Sequence, residues 1–167
     1  KEQVTFLDEH FRSMPAIIKF SKKMFYSDSL KIMTAKPTLK QNEGIQIINC
    51  EGIRNEQGYN KKEADFIIQN IKDIIKDQKD LYYKFCKSIG VLSPFRNQVD
   101  YISNIIQQEF TIEEINKHNL NVGTAYGFQG EERDIMFISF AVDNNSHSMA
   151  FRHIDKKDVF NVSITRA

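Results

Sequence analysis

The stretch IGVLSPFRNQV, residues 89–99, contains the pattern that decides the fold. The run IGVLS at residues 89–93 is apolar and ends at Pro94, as expected of a buried strand, because proline lacks the N–H that a sheet ladder needs. Apolar residues then recur at helical spacing, at Val99, Ile102, Ile105 and Ile106. The stretch therefore predicts a core strand that leads directly into an amphipathic helix.

The same alternation of strand and helix continues on both sides of this stretch. Before it, IQIINC at residues 45–50 is rich in β-branched residues and predicts a strand, and Asn60 can cap a helix that begins at Lys61. The apolar residues of that helix follow the helical period: Ala64, Ile67, Ile68, Ile71, Ile74 and Ile75. After it, residues 111–118 predict a short helix, with Thr111 and Glu114 in capping-box spacing. Residues 121–124, 134–142 and 159–165 predict three further strands.

The remaining segments complete an alternating α/β order. Residues 4–7 predict a strand, a polar loop follows, and Pro15 opens a predicted helix. Residues 27–44, 54–60 and 143–158 are mainly polar and are predicted to be loops. Strands that are continuous apolar runs and alternate with helices are typical of a parallel sheet covered on both faces. We therefore predict an α/β fold, with residues 1–167 forming a single domain excised from a longer chain.

Composition limits the classes of function. The 167 residues carry a formal net charge of +1, so overall charge makes no strong case for nucleic acid or an anionic membrane as partner. No run approaches the roughly 20 apolar residues that a membrane span needs. Cys50, Cys86 and the four scattered histidines lack the spacing of a disulfide framework or a metal site. We expect a monomeric, cytoplasmic protein with no metal ligands of its own.

Several candidate residues follow the predicted strands, where a parallel α/β sheet gathers its ligands. They are Arg12, residues 94–98, residues 126–133 and Arg166. The connection TAYGFQGEERD at 124–134 combines glycines, which permit close backbone approach, with carboxylates that can accept hydrogen bonds from a ribose. Simpler interpretations remain open: a surface ion pair for Arg12, a tight polar connection for residues 124–134 and a structural role for Arg166. None of the seven glycines is followed by Lys with Ser or Thr, so the chain has no Walker A phosphate loop.

Five segments carry a family resemblance: LDEHFRSMPAIIKFSKKMFY, NKKEADFI, IGVLSPFRNQV, TAYGFQGEERDI and FNVSITRA. Taken in this order, they resemble the C-terminal motor domain of superfamily 1 helicases, in the branch of the nonsense-mediated-decay helicase and senataxin. The resemblance runs from Leu7 to Ala167. It implies a three-layer RecA-like fold, similar to P-loop NTPases, with a parallel sheet, helices on both faces and no Walker A of its own.

The resemblance implies roles for individual residues at a nucleotide. Arg12 and Arg166 would be catalytic arginine fingers, and Phe11 would lie beside the nucleotide. Gln129, Gly130 and Glu132 match the loop whose glutamate holds the ribose. The family commonly has Tyr where Phe11 stands, which leaves stacking intact but removes a hydroxyl.

The resemblance also implies contacts with nucleic acid, for which the matching residues are Ser93, Pro94, Phe95, Gln98 and Thr124. Family members often have Thr-Pro-Tyr where this chain has Ser93, Pro94 and Phe95. The implied cofactor is ATP with Mg²⁺, whose magnesium ligands would lie on a first RecA-like domain of the same protein. The implied partner is single-stranded DNA or RNA. Two alternatives stay open: a module of the same fold that docks on nucleic acid or a partner without motor activity, and a nucleotide-binding regulator.

Overall fold

The computed structural model describes Glu9–His10, Lys31–Ile32 and residues 45–128 and 131–154. The chain divides into two compact units, the second of which comprises residues 49–166. In the first unit, β1 (Glu9–His10) and β2 (Lys31–Ile32) pair in parallel. Both strands lie where the sequence predicts loops, and those predictions are wrong at these four residues. Ladder hydrogen bonds are made by the backbone, so a polar segment can pair wherever a partner strand lies alongside.

The second unit is built on a parallel sheet of three strands in its described part. These are β3 (Ile89–Leu92), β4 (Asn121–Gly123) and β5 (Ile135–Ile138), in the order β4-β3-β5. Leu92 is paired with Gly123 on one side and with Ile138 on the other. All four residues of β3 are buried, because this strand has a neighbour on each side. The predicted core strand is thus confirmed, and its carboxyl end lies in the middle of the sheet edge.

Four helices lie in the described part of the second unit. Helix α1 (Lys61–Asp77) is capped by Asn60, whose side chain accepts a hydrogen bond from the Glu63 N–H. Helix α2 (Arg96–Glu109) follows β3 directly, and α3 (Ile112–Lys117) begins with the predicted capping box of Thr111 and Glu114. Helix α4 (Ser148–Ile154) lies within the predicted loop 143–158. A 3₁₀ turn, Tyr83–Phe85, precedes β3.

The core has a separate cluster on each face of the sheet. Ile89 and Val91 belong to a cluster with the apolar stripes of α1 and α2, which include Ile71 and Ile102. Leu92 belongs to a second cluster with Ala125 and Phe128 from the connection after β4. Alternate residues of a strand point to opposite faces, so β3 contributes to both clusters. Three parallel strands with helices around them confirm the predicted RecA-like α/β class.

The predicted strand 45–50 is wrong in this structure. The segment is irregular, and Ile47 is 93% exposed. β-Branched residues favour a pleated, half-buried surface, and this preference forms no strand unless a neighbouring backbone supplies the ladder.

Two further boundaries differ from the prediction. Strand β5 ends at Ile138 instead of continuing to residue 142, because Glu63 binds the Ser139 hydroxyl and the Ala141 N–H and Ala141 takes a φ of 48°. Helix α4 has seven residues and no clear apolar stripe, so periodicity did not reveal it. The predicted elements at residues 4–7, after Pro15 and at 159–165 lie outside the described residues. Within the described ranges, no helix has the length and apolar character to cross a bilayer.

Candidate functional site at the carboxyl edge of the sheet

The carboxyl ends of β3 and β4 lie side by side. The Ser93 N–H donates to the Gly123 carbonyl at 3.1 Å, one residue beyond the paired positions. On the other side of β3, the Ser139 N–H donates to the Leu92 carbonyl at 2.9 Å. Pro94 and Thr124 therefore leave the sheet from neighbouring points. We name this region, residues 93–96 and 124–128, the carboxyl edge.

The exit from β3 is shaped by Ser93. Its side chain is buried, and its Oγ accepts a hydrogen bond from the Phe95 N–H at 3.2 Å. Helix α2 begins one residue later at Arg96, and no side chain of the described residues caps its N-terminus. A helix N-terminus presents backbone N–H groups and the positive end of the helix dipole. This end of α2 is therefore suited to an anion, whereas Ser93 Oγ is buried and accepts a hydrogen bond within the protein.

Phe95 is half-buried and lies beside the side chains of Arg54 and His153. The Arg54 guanidinium lies 3.9 Å above the ring centroid, and the His153 ring lies 5.6 Å away at a tilt of 44°. His153 is held in turn by a hydrogen bond of 3.1 Å between its Nε2 and the Pro94 carbonyl. Helix α4 thus packs against the exit of β3, and one face of the Phe95 ring is covered.

Arg54 connects this ring to the exit of β5. Its Nη1 donates to the Ala141 carbonyl at 2.9 Å, and its backbone N–H donates to the Asp143 carboxylate at 2.8 Å. Burial lowers the pKa of Arg54, while the negative charges of Asp143 and Glu63 act in the opposite direction. An arginine at such a site stays protonated throughout the physiological range. Arg54 therefore places a fixed positive charge against one face of the Phe95 ring.

Gln98 lies in the interior. Its side chain is fully buried, its Oε1 accepts from the Asn60 N–H at 2.7 Å, and its Nε2 donates to the Asn60 carbonyl and to Ser139 Oγ. Both amide protons and the carbonyl oxygen are therefore used by protein groups. Gln98 and Ser93 were both predicted to contact nucleic acid; in this structure both side chains are buried and hydrogen-bonded within the protein.

Glu63 extends this buried network between elements. Its Oε2 accepts from Ser139 Oγ at 2.6 Å and from the Ala141 N–H at 2.9 Å, and its Oε1 accepts from Asn60 Nδ2 at 3.2 Å. The network therefore ties the start of α1 to the first turn of α2 and to the exit of β5. Its effect is to hold the strand exits in one geometry.

The turn after β4 presents an exposed aromatic ring. Ala125 and Phe128 are buried in the second core cluster, whereas Tyr126 between them is 71% exposed. The Phe128 N–H closes the turn on the Thr124 carbonyl at 3.3 Å. A Cβ at Gly127 would meet that carbonyl at 3.4 Å, an ordinary contact distance. The two buried neighbours hold Tyr126 outward on an anchored turn.

The connection 124–134 crosses from one sheet edge to the other. Arg133 is buried and its Nε donates to the Asn119 carbonyl at 3.0 Å, just before β4 begins. Asp134 accepts from the Ser88 N–H and hydroxyl at 2.8 and 2.7 Å, just before β3 begins. The prediction that residues 126–133 all lie at the carboxyl edge is therefore wrong for Arg133, because a parallel crossover must return to the amino ends of the strands. Glu132 is exposed and immediately precedes Arg133.

The other predicted site residues are not part of the described structure. Phe11, Arg12, Gln129, Gly130 and Arg166 all lie outside the described residues. Within the described ranges, no group of three or more His, Cys, Asp and Glu side chains could hold a metal ion.

The structure brings two residues to the carboxyl edge that the sequence did not indicate, Arg54 and His153. Arg54 and His153 are far from Phe95 along the chain, so no spacing could have joined them. Tyr126 lies within the candidate range 126–133, but the sequence predicted no individual role for it.

Comparison with known proteins gives one family and a set of relatives. The family described as an AAA domain matches residues 1–167. The helicase sen1 of Schizosaccharomyces pombe is 24% identical over 177 residues, which cover 99% of this chain and 10% of that protein. An uncharacterized ATP-dependent helicase of Methanocaldococcus jannaschii is 28% identical over 186 residues, which cover 96% of this chain and 25% of that protein.

A third relative has a different printed name. The regulator of nonsense transcripts 1 homolog of Neurospora crassa is 25% identical over 185 residues, covering 96% of this chain and 16% of that protein. The chain thus spans a quarter or less of the length of each of these three relatives. Since the family match covers every residue of the chain, the chain belongs to the AAA domain family.

Proposed function

We propose that this chain is the second RecA-like motor domain of a superfamily 1 helicase, which uses ATP to move along single-stranded DNA or RNA. The observation that supports this most is the carboxyl edge, where two adjacent strand exits lie beside the uncapped N-terminus of α2. Ligands of open α/β sheets gather at this edge. The names of the relatives, which are helicases in two of the three cases above, support the same proposal.

The nucleic-acid contact in this proposal is made with the sugar-phosphate backbone. Thr124 and the first backbone N–H groups of α2 would bind phosphates, with Pro94 and Phe95 forming the adjacent wall. Hydroxyl and backbone N–H donors do not distinguish sequences, and such contacts are compatible with stepping. Ser93 is buried and would hold this wall in position without touching the strand.

The nucleotide contact in this proposal involves residues from several parts of the chain. Arg12 and Arg166 would donate guanidinium N–H groups to phosphate oxygens, and Phe11 would pack beside the nucleotide. Gln129 and Gly130 would form the loop from which Glu132 accepts hydrogen bonds of the ribose hydroxyls. ATP with Mg²⁺ would supply the phosphoryl group, bound by a first RecA-like domain elsewhere in the protein. Planar guanidinium groups suit this task because they spread positive charge over several oxygens.

The experiment measures ATP hydrolysis by the full-length protein with and without single-stranded nucleic acid. We expect Arg12→Ala or Arg166→Ala to reduce stimulated turnover by about 10³-fold, the scale typical of arginine fingers. Circular dichroism and strand binding should remain unchanged, because neither arginine is assigned to the core or to the strand. Lys76→Ala is the control, since it removes an exposed positive charge at the end of α1.

Two results would contradict the proposal. Near-normal turnover in either arginine variant would remove the finger assignment. Strand binding by the wild-type protein without any ATP hydrolysis would favour the alternative, a non-motor module of the same fold.

A further inference from the structure

We propose that Tyr126 stacks on a base of the bound single strand, so that the carboxyl edge contacts bases as well as phosphates. This inference rests on the proposed function, because it requires that a single strand crosses this edge. It adds a contact of a different chemical kind, made by an aromatic face instead of a hydrogen-bond donor.

The position of Tyr126 supports this role. Tyr126 and Phe95 each lie three residues beyond Gly123 and Leu92, which are paired in the sheet. Two aromatic residues therefore extend from adjacent strand exits. Thr124, the proposed phosphate contact, lies two residues before Tyr126, so a strand bound at Thr124 passes close to the tyrosine ring.

The two rings differ in what their faces can accept. Phe95 is half-buried, and the Arg54 guanidinium lies 3.9 Å above one face of its ring. Tyr126 is 71% exposed, and its ring offers an aromatic face to solvent. Phe128, the third aromatic residue of this edge, is fully buried, so Tyr126 is the ring available to a base.

The rigidity of the turn strengthens the inference. Stacking on a mobile side chain loses conformational entropy on binding, whereas a ring held by its neighbours loses less. Ala125 and Phe128 are buried on either side of Tyr126, and the Phe128 N–H closes the turn on Thr124. The turn thus anchors the backbone from which the ring extends, which reduces the entropy lost when a base stacks on it.

Because the net charge of the chain is low, base stacking would contribute affinity that electrostatic attraction does not supply. A formal charge of +1 provides little electrostatic attraction to a polyanion. Base stacking is not ionic and tolerates every base, because each base has a π-face. It would therefore increase affinity without imposing a sequence preference that would hinder movement.

The experiment measures binding of the full-length protein to two fluorescent oligonucleotides of equal length by anisotropy. One is a normal single strand, and the other is an abasic strand that keeps the sugars and phosphates but lacks the bases. For Tyr126→Ala we expect affinity for the normal strand to fall about tenfold or more, with no change for the abasic strand. Tyr126→Phe should bind like the wild type, because stacking needs the ring and not the hydroxyl.

Tyr82→Ala is the matched control. Tyr82 is 79% exposed, but it precedes β3 and so lies on the amino side of the sheet. We expect this variant to bind both oligonucleotides like the wild type. The control shows whether loss of any exposed tyrosine lowers affinity.

The outcomes separate this inference from the proposed function. If Tyr126→Ala binds both strands as the wild type does, or loses affinity equally for both, Tyr126 does not stack on a base and the inference is wrong. In either case the proposed function stands, because the wild-type protein still binds a single strand. If the wild type binds neither oligonucleotide, the proposed function itself is wrong.

Discussion

Gln98 illustrates how completely the surroundings of a residue determine its role. Its three hydrogen bonds reach the backbone N–H and carbonyl of Asn60 and the hydroxyl of Ser139. Gln98, Asn60 and Ser139 are all buried, so water could not replace a hydrogen bond that is lost when the Gln98 amide is removed. A buried polar group without a partner costs more free energy than a hydrogen bond gains. We therefore expect Gln98 to stabilise the folded state.

We predict that Gln98→Leu lowers the free energy of unfolding by about 2–4 kcal/mol, because it leaves the buried Asn60 N–H without a partner and removes one hydrogen bond each from the Asn60 carbonyl and the Ser139 hydroxyl. Urea unfolding followed by circular dichroism measures this change. Gln69→Leu is the control, since Gln69 is exposed on α1. Equal stability of the two variants would show that the buried network does not hold the strand exits together.

At the scale of elements, one carboxylate joins the amino ends of two strands. Asp134 precedes β5, and it accepts hydrogen bonds from the N–H and hydroxyl of Ser88, which precedes β3. These hydrogen bonds, the side-chain one first, lower the pKa of Asp134 below its ordinary value. A carboxyl whose folded pKa is depressed stabilises the fold above its ordinary pKa, and this stabilisation is lost as the pH falls through the folded pKa.

We predict that Ser88→Ala raises the pKa of Asp134 toward the ordinary aspartate value, because the hydroxyl is the largest cause of the shift. Carboxyl chemical shifts, followed by NMR during acid titration, report this pKa. The stabilisation lost on acidification should then be smaller than in the wild type, and the loss should be complete at a higher pH, because only the folded pKa changes.

Ser146→Ala provides the matched control for this prediction. The pKa of Asp143 is lowered first by the Arg54 N–H and then by the Ser146 side chain. This variant should therefore raise the pKa of Asp143 and leave Asp134 unchanged. An Asp134 carboxyl that titrates identically in Ser88→Ala and in the wild type would contradict the assigned cause.

At the scale of the whole molecule, the positions of individual charges matter more for strand binding than the net charge does. The formal net charge is only +1, yet Arg96 opens helix α2 at the carboxyl edge with a mostly exposed side chain. Its ion pair with Asp100 on the same helix is exposed and contributes little. A nucleic-acid phosphate could therefore replace that partner at small cost. Binding of a strand should depend on a few phosphates at this edge.

We predict that Arg96→Ala makes single-strand binding less dependent on salt. The slope of log affinity against log salt concentration should become smaller in magnitude by about 0.7, which corresponds to one lost phosphate contact. Anisotropy titrations of the full-length protein at several salt concentrations measure the slope.

Lys76→Ala is the control for the salt prediction. Lys76 lines a cavity together with His118, whose carbonyl binds the Ile89 N–H at the amino end of β3. It is therefore remote from the carboxyl edge and should leave the slope unchanged. Identical slopes for Arg96→Ala and the wild type would exclude a phosphate contact at Arg96.

The sequence by itself determined the elements whose signal is local. Helices α1, α2 and α3 and strands β3, β4 and β5 follow from periodicity, caps and apolar runs, since each depends on residues within a few positions of one another. The parallel sheet followed from their alternation, and with it the edge at which Pro94 and Thr124 lie together. Family resemblance suggested roles for residues at that edge, and the roles of Arg12, Glu132 and Arg166 remain predictions.

Only the tertiary structure decided which side chains face water and which distant residues meet. The family resemblance implied a nucleic-acid contact for Gln98; the structure buries its side chain, because Asn60 and Ser139 come from other elements to bind it. The segment 45–50 has the composition of a strand but no ladder partner among the described residues. Contacts of Phe95 with Arg54 and His153 likewise span large separations along the chain. Such features depend on packing between elements, which local sequence patterns do not encode.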